Sequence, residues 1–324
     1  MRARITASAL ATSLACTALM TPAFARAQPA PPSGGDAADS PAGHGSVSIA
    51  FFDTAIDGFW LRSDIKLPYG AVHMLGAGLD ASYNLSDAWT IYGGIRYFTG
   101  RSGGPFPNCP TLDPPQCAGQ PPLANPRPAA PFLDDGNYHG AWQDWNLGVA
   151  YHTRIGNTYI TPSATAFIPT HAYPTFGNAV VGQDLRQLLL DVTLSHQFDF
   201  TNFFYQAHYE YFFNTPHIGY GNNYNSFGLD VGYFFSPKLS AKFITDLKIG
   251  NGITDQEIGG PPALDPIWLN HDRIRLQDHG LVGGAIDYVF AKNYDLQTTL
   301  EHAVWGRSNG DLKYDLDLRV TRSF

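Results

Sequence analysis

From Asp311 to the last residue, Phe324, every second side chain is apolar: Leu312, Tyr314, Leu316, Leu318, Val320 and finally Phe324. Lys313, Asp315, Asp317, Arg319, Thr321 and Ser323 stand between them, and only Arg322 breaks the apolar phase. A period of two puts the two sets on opposite faces of a strand, one seeking hydrocarbon and the other water. The same alternation recurs along most of the chain. It limits the fold to sheets with one greasy and one wet surface.

A soluble sandwich also uses such strands, and composition weighs against it. Charged residues are 15% of the chain, below the usual figure of about a quarter. That suits a membrane protein, yet mean hydropathy is only −0.17. No segment after the leader runs to the length of apolar residues that a spanning helix needs. A barrel reconciles the two, because only half of each strand faces lipid. The formal net charge of −8 excludes nucleic acid as a partner.

Residues 1–27 read as a cleaved secretory signal peptide. Arg2 and Arg4 supply the positive start and Ile5 to Met20 the apolar core; Ala23-Phe24-Ala25 and Ala25-Arg26-Ala27 both fit the small-residue site, with cleavage near Ala27 preferred. Cys16 follows Ala15, but Ser13 is a poor lipobox residue, so lipidation is disfavoured. Residues 28–45 are Pro, Gly, Ala, Ser and Asp, a disordered periplasmic tail by composition.

Strands follow as hairpins. The first includes Val47 to Asp53, and residues 54–71 are ambiguous. The next two run about Val72–Leu85 and Ala88–Gly100, joined at Ser86-Asp87. Ten prolines between Pro105 and Pro131 then rule out a ladder, so 101–138 is a long loop. Further hairpins turn at Gly156-Asn157, near 200, at Ser236-Pro237 and near 292. The alternation of short and long connections predicts about twelve strands in a closed antiparallel transmembrane barrel, an all-β domain over 46–324. Closure requires the first strand to pair with the last, Val47–Asp53 beside Leu312–Val320.

This layout resembles the outer-membrane β-barrel proteins of Gram-negative bacteria, of the small-channel or transporter type. The resemblance is one of layout rather than of a family motif. It implies an outer-membrane location among membrane lipid and lipopolysaccharide, with short turns in the periplasm and long loops outside. It also implies that Phe324 is the signal read by the barrel-assembly machinery, and that the interior passes a small-molecule solute.

The alternation predicts the pore-lining face. Asp80, Asp191, Glu210, Asp230, Asp246, Asp287, Asp295, Glu301, Asp315 and Asp317 fall on the wet side with Arg96, Lys242, Lys248, Lys313 and Arg319, and with His152 and His208. These charges either pair and fill a wet interior or form a polar pathway whose acidic excess disfavours anions. Inward Tyr92, Phe98, Phe204, Phe212 and Phe234 leave open a site for a small organic solute. Cys109 and Cys117, in the long loop of an exported chain, are expected to form a disulfide, with a metal pair as the alternative. No zinc spacing or phosphate loop implies a metal or cofactor.

Two other functions remain. Hydrolases of the resembled family act on lipid through a His-x-Ser pair, or on peptide through Asp-x-Asp and Asp-x-His spacings at the rim. Here His44-Gly45-Ser46 lies in the tail, while Asp134-Asp135, His271-Asp272 and Asp278-His279 lack that spacing. Asp315-x-Asp317 has it, toward the opposite end. A surface-interaction protein using the Pro-rich loop is the third reading. Glycines such as Gly76, Gly78, Gly93, Gly94, Gly283 and Gly284 are read as structural, leaving room inside.

Overall fold

A computed structural model describes residues 42–62, 65–67, 71–103, 133–253, 267 and 270–324. The leader, nearly all of the tail and both loop cysteines lie outside these residues. The strands are β1 (Gly45–Arg62), β2 (Ile65–Leu67), β3 (Val72–Asn84), β4 (Trp89–Ser102), β5 (His139–Trp142), β6 (Asp144–Tyr151), β7 (Thr153–Ile155) and β8 (Thr158–Pro169). They continue with β9 (Gln187–Gln197), β10 (Phe203–Asn214), β11 (Tyr224–Ser236), β12 (Leu239–Gly250), β13 (Asp278–Ala291), β14 (Tyr294–Arg307) and β15 (Asn309–Ser323). Among the described residues a short helix, α1 (His271–Ile274), precedes β13.

All fifteen strands belong to one sheet, and β15 returns to pair with β1. Pieces β5, β6 and β7 make one stave, and β2 is a short addition on β1, so twelve antiparallel staves close the barrel. The seam runs from Ser46 opposite Ser323 to Trp60 opposite Asn309. Val47–Asp53 faces Leu316–Arg322, a little further toward the chain end than the sequence suggests. At its foot, Gly45 N–H donates to the Phe324 carbonyl (3.1 Å) and Phe324 N–H to that of Gly45 (2.9 Å). Ala42, Gly43 and His44, assigned to the tail by composition, bond to Asp87 and to the end of β3.

Burial is inverted relative to a soluble protein. Leu147 is 67% exposed, and Leu79, Trp145, Phe227, Phe243 and Leu300 are exposed likewise. Asp80, Arg96, Asp191, Glu210, Glu301 and Arg319 are buried. Only a tube wetted inside and oiled outside is stable with that arrangement.

The register shifts at several points, in β11–β12 near Phe234, in β13–β14 near Gly280 and Val289, and at the seam. Bulges between Ala55 and Gly58 put Leu312 opposite Ile56, and Leu312 packs into the interior apolar cluster instead of facing out. Lys313, expected inside, is bulged out of β15, and Asp57 is bulged out of β1. Lys313 is 60% exposed, and its Nζ lies 3.9 Å from Asp57. An extra residue on one strand turns every following side chain to the other face.

Tight turns gather at one end, at 85–88, 156–157, 198–202, 237–238 and 292–293. At the other end the connections are long, except for Ser308. Two of these long connections fold back into the tube rather than standing outside it. Tyr173 and Val181 join Phe52, Ile56, Val72, Met74 and Phe98 in one buried cluster. Ile274 and Leu276 are buried too.

The wall depends on close approach at glycine. A Cβ on Gly148 would lie 2.4 Å from the Tyr92 ring, one on Gly228 1.9 Å from His208, and one on Gly232 2.1 Å from Phe204. Each glycine sits directly across from the side chain that covers it. Large inward side chains thus lie flat on the wall. Gly148→Val should lower the urea stability of the folded barrel by about 1–3 kcal/mol through overpacking, measured by heat-modifiable gel migration. Gly103→Ala, with nothing within 4 Å, should stay within about 0.5 kcal/mol.

Candidate functional site in the barrel interior

The interior charges form rows across neighbouring strands. In one row Arg319 of β15 faces Ala50 of β1, Ala50 faces Gly78 of β3, and Gly78 faces Arg96 of β4. The two small residues leave space for both guanidinium groups. Arg96 Nη2 donates to both Asp80 carboxylate oxygens (2.9 and 3.1 Å), and Arg319 Nη1 lies 3.6 Å from Asp80. Arg319 Nη2 also donates to Asp317 (3.3 Å). Both arginine side chains are 4% exposed. Burial on this scale is tolerable only because each charge has an opposite within reach.

A second row repeats the device. His208 and Asp246 both face Gly228, and His208 Nε2 meets Asp246 at 3.2 Å over it. Ser226 Oγ donates to both oxygens of the same carboxylate at 3.0 Å. Lys242 Nζ donates to Asp230 at 2.9 Å.

The acidic excess concentrates in two places. Glu210 faces Asp191 directly, with Thr193 Oγ1 donating to Asp191 at 3.1 Å. Nearby, the Tyr92 and Thr165 hydroxyls are 2.6 Å apart. Glu301 faces Asp315, which accepts from Thr54 Oγ1 at 2.5 Å. The structure therefore brings Asp80, Arg96, Asp317 and Arg319 into one group, His208 and Asp246 into a second, and Asp230 with Lys242 into a third.

Toward the long-loop end the inner wall turns apolar. Phe52 and Phe98 pack at 5.2 Å, and Phe212 and Tyr224 stack at 4.2 Å beside Leu189. Lys248 Nζ lies 3.9 Å from the Tyr224 ring centroid. Sequence reasoning found Phe98 and Phe212 but missed Phe52, Ile56, Val72 and Met74. In β1 the signal is absent, because Phe51 and Phe52 make both faces apolar.

The acidic and histidine pairs in the loops serve the architecture. Asp134 accepts from Asn178 N (2.7 Å), Asn178 Nδ2 (2.9 Å) and Ala179 N (3.2 Å). Asp135 meets His139 at 2.8 Å. Asp278 is buried and accepts from Gly250 N (2.8 Å) and from Arg307. His279 bonds to Asn309, and His271 lies buried against Asp272. Among the described residues no group of three His, Cys, Asp or Glu is placed to hold a metal.

No family model matches the chain, and no curated protein matches its sequence. Among solved structures, an outer-membrane channel from Pseudomonas putida F1 superposes with a TM-score of 0.64 at 12% identity, over 88% of this chain and 96% of that one. The KdgM porin in complex with disordered oligogalacturonate aligns at 0.44 and 8% identity, covering 86% of this chain and 99% of its own. The NanC porin aligns at 0.45 and 9% identity, covering 86% and 98%. The fold is therefore that of an outer-membrane β-barrel. Within that class it is a twelve-stave barrel of the shape seen in the Pseudomonas channel.

Removing Asp80 would leave two guanidinium groups buried with too little opposing charge. Asp80→Asn should cost about 3–5 kcal/mol in urea unfolding, and Asp80→Asn with Arg96→Met should recover most of it.

Proposed function

We propose that this protein is an outer-membrane channel that passes small solutes, and that its interior charges line the pathway. The observation that carries this is a closed tube whose inner face holds ionisable groups at mid-height. Asp80, Asp191, Glu210, Asp230, Asp246, Glu301, Asp315 and Asp317 outnumber Arg96, Lys242, Lys248 and Arg319 on that face. A twelve-stave barrel is wider than an eight-stave one, whose side chains fill it. On this reading a signal peptide exports the chain, the tight turns face the periplasm, and the barrel sits among lipid and lipopolysaccharide. Phe98 and Phe212 are packed inside apolar clusters at the upper wall, so the paired charges rather than these rings are the groups offered to a solute.

The enzyme reading loses ground because Asp134, Asp278 and His279, its best rim candidates, are spent on loop and strand bonds. We therefore propose a transport role without catalysis.

In planar bilayers with a salt gradient, the reversal potential should show weak cation preference at neutral pH. Anion preference would contradict the assignment of the acidic face. Phe324 pairs with Gly45 at the seam and is the proposed signal for the assembly machinery. Phe324→Ala should lower the amount of folded barrel in the outer membrane while leaving refolding in detergent unchanged. Equal loss in both assays would make Phe324 a packing residue only.

A further inference from the structure

We propose that residues 173–185 are a gate strapped inside the barrel, and that Asp134 and Arg273 are the latches that hold it. The proposal rests on the channel reading, of which it is the regulation.

The strap lies on the inner wall. Its Val181 and Tyr173 pack against inward Phe98 and Met74. The Ala179 carbonyl comes within 3.0 Å of where a Cβ on Gly100 of β4 would stand. Gln143 Nε2, pointing inward from the break between β5 and β6, donates to the Val181 carbonyl. A segment in that position narrows the passage whichever solute uses it.

Two kinks lie within the strap. Gly177 has φ +137, and Asp184 has φ 51, a left-handed conformation in a residue with a side chain. Such strain persists where surrounding contacts enforce it, and it collects at elements that switch.

Those contacts come partly from within the strap and partly from strand β6 and two other loops. Asp184 N–H donates to Tyr173 Oη (3.0 Å), whose hydroxyl in turn donates to Asp144 (2.8 Å). Arg273 Nη2 donates to the Asp184 carbonyl at 2.5 Å and sits 3.8 Å from its carboxylate. Arg273 Nη1 is 3.3 Å from His217 Nε2, which is 2.8 Å from Asn270 Oδ1. Burial holds the Asp184 carboxyl above its ordinary range, while Arg273 pulls it down. At the other kink, Asp134 collects the three N–H donors of Asn178 and Ala179. The strap thus hangs from one carboxylate of the first long loop and one guanidinium of α1. Both latches sit on long-loop connections, so movement of those loops releases the strap without breaking any barrel strand.

The test uses the full chain with Cys109→Ser and Cys117→Ser, and Met74→Cys as a reporter beneath the strap. A small cationic methanethiosulfonate reports access to Cys at 74, and planar-bilayer current reports passage. Asp134→Ala with Arg273→Ala should raise the modification rate by at least about tenfold, a conservative figure for two lost charge-assisted bonds, and should raise conductance. Asp184→Asn, which keeps the kink and removes only the charge, should give a smaller rise in both. A folded heat-modifiable band is required of each variant. Unchanged modification rates in folded variants would overturn the gate and leave the channel reading intact. Faster modification with no current in any form would uphold the moving strap and overturn the channel.

Discussion

Every backbone N–H and C=O that enters hydrocarbon must find a partner within the protein, at a cost of several kcal/mol for each one that does not. The seam between β1 and β15 meets that demand. It joins the first strand to the last over Ser46 to Trp60, and the final residue completes it through a reciprocal pair with Gly45. Closure fixes which face of every stave is inside. That in turn decides that Asp80 and Arg319 are buried while Leu79 and Leu318 meet lipid.

An interior fixed in this way has to accommodate charge without filling with it. The chain does so by setting small residues between partners. Gly228 lets His208 reach Asp246, and Ala50 with Gly78 lets Arg319 and Arg96 approach Asp80 from opposite sides. Charge pairing and flat side chains are thus one solution: ions neutralise each other along the wall. Two connections add to the interior from the long-loop end, one through Tyr173 and Val181 and the other through Ile274 and Leu276.

Much of this was legible in the residues. The strict alternation of Leu188, Leu190, Val192 and Leu194, or of Phe227, Leu229 and Val231, named the outward face correctly. By subtraction it named Asp191 and Asp230 as inward. The turn positions and the closing pair of strands were legible as well. Three things were not. The bulge at Lys313 was hidden because alternation carries no mark of an inserted residue. The inner face of β1 was hidden because Phe51 and Phe52 are equally apolar. The strap was hidden because its burial depends on β1, β3 and β4, more than seventy residues upstream by the numbering of Phe98 and Tyr173. Locally, Asn178, Gly182 and Gln183 read as an ordinary polar loop.

The flat packing of His208 on Gly228 and of Phe204 on Gly232 has a bearing on how such a barrel can diverge. A methyl group at either glycine is blocked while its ring remains, and loss of the ring uncovers bare backbone. Descendants of this chain should therefore exchange the two positions as couples, one column of the wall swapping bulk with its neighbour. Lineages would then differ in the texture of the tube while its circumference stays the same.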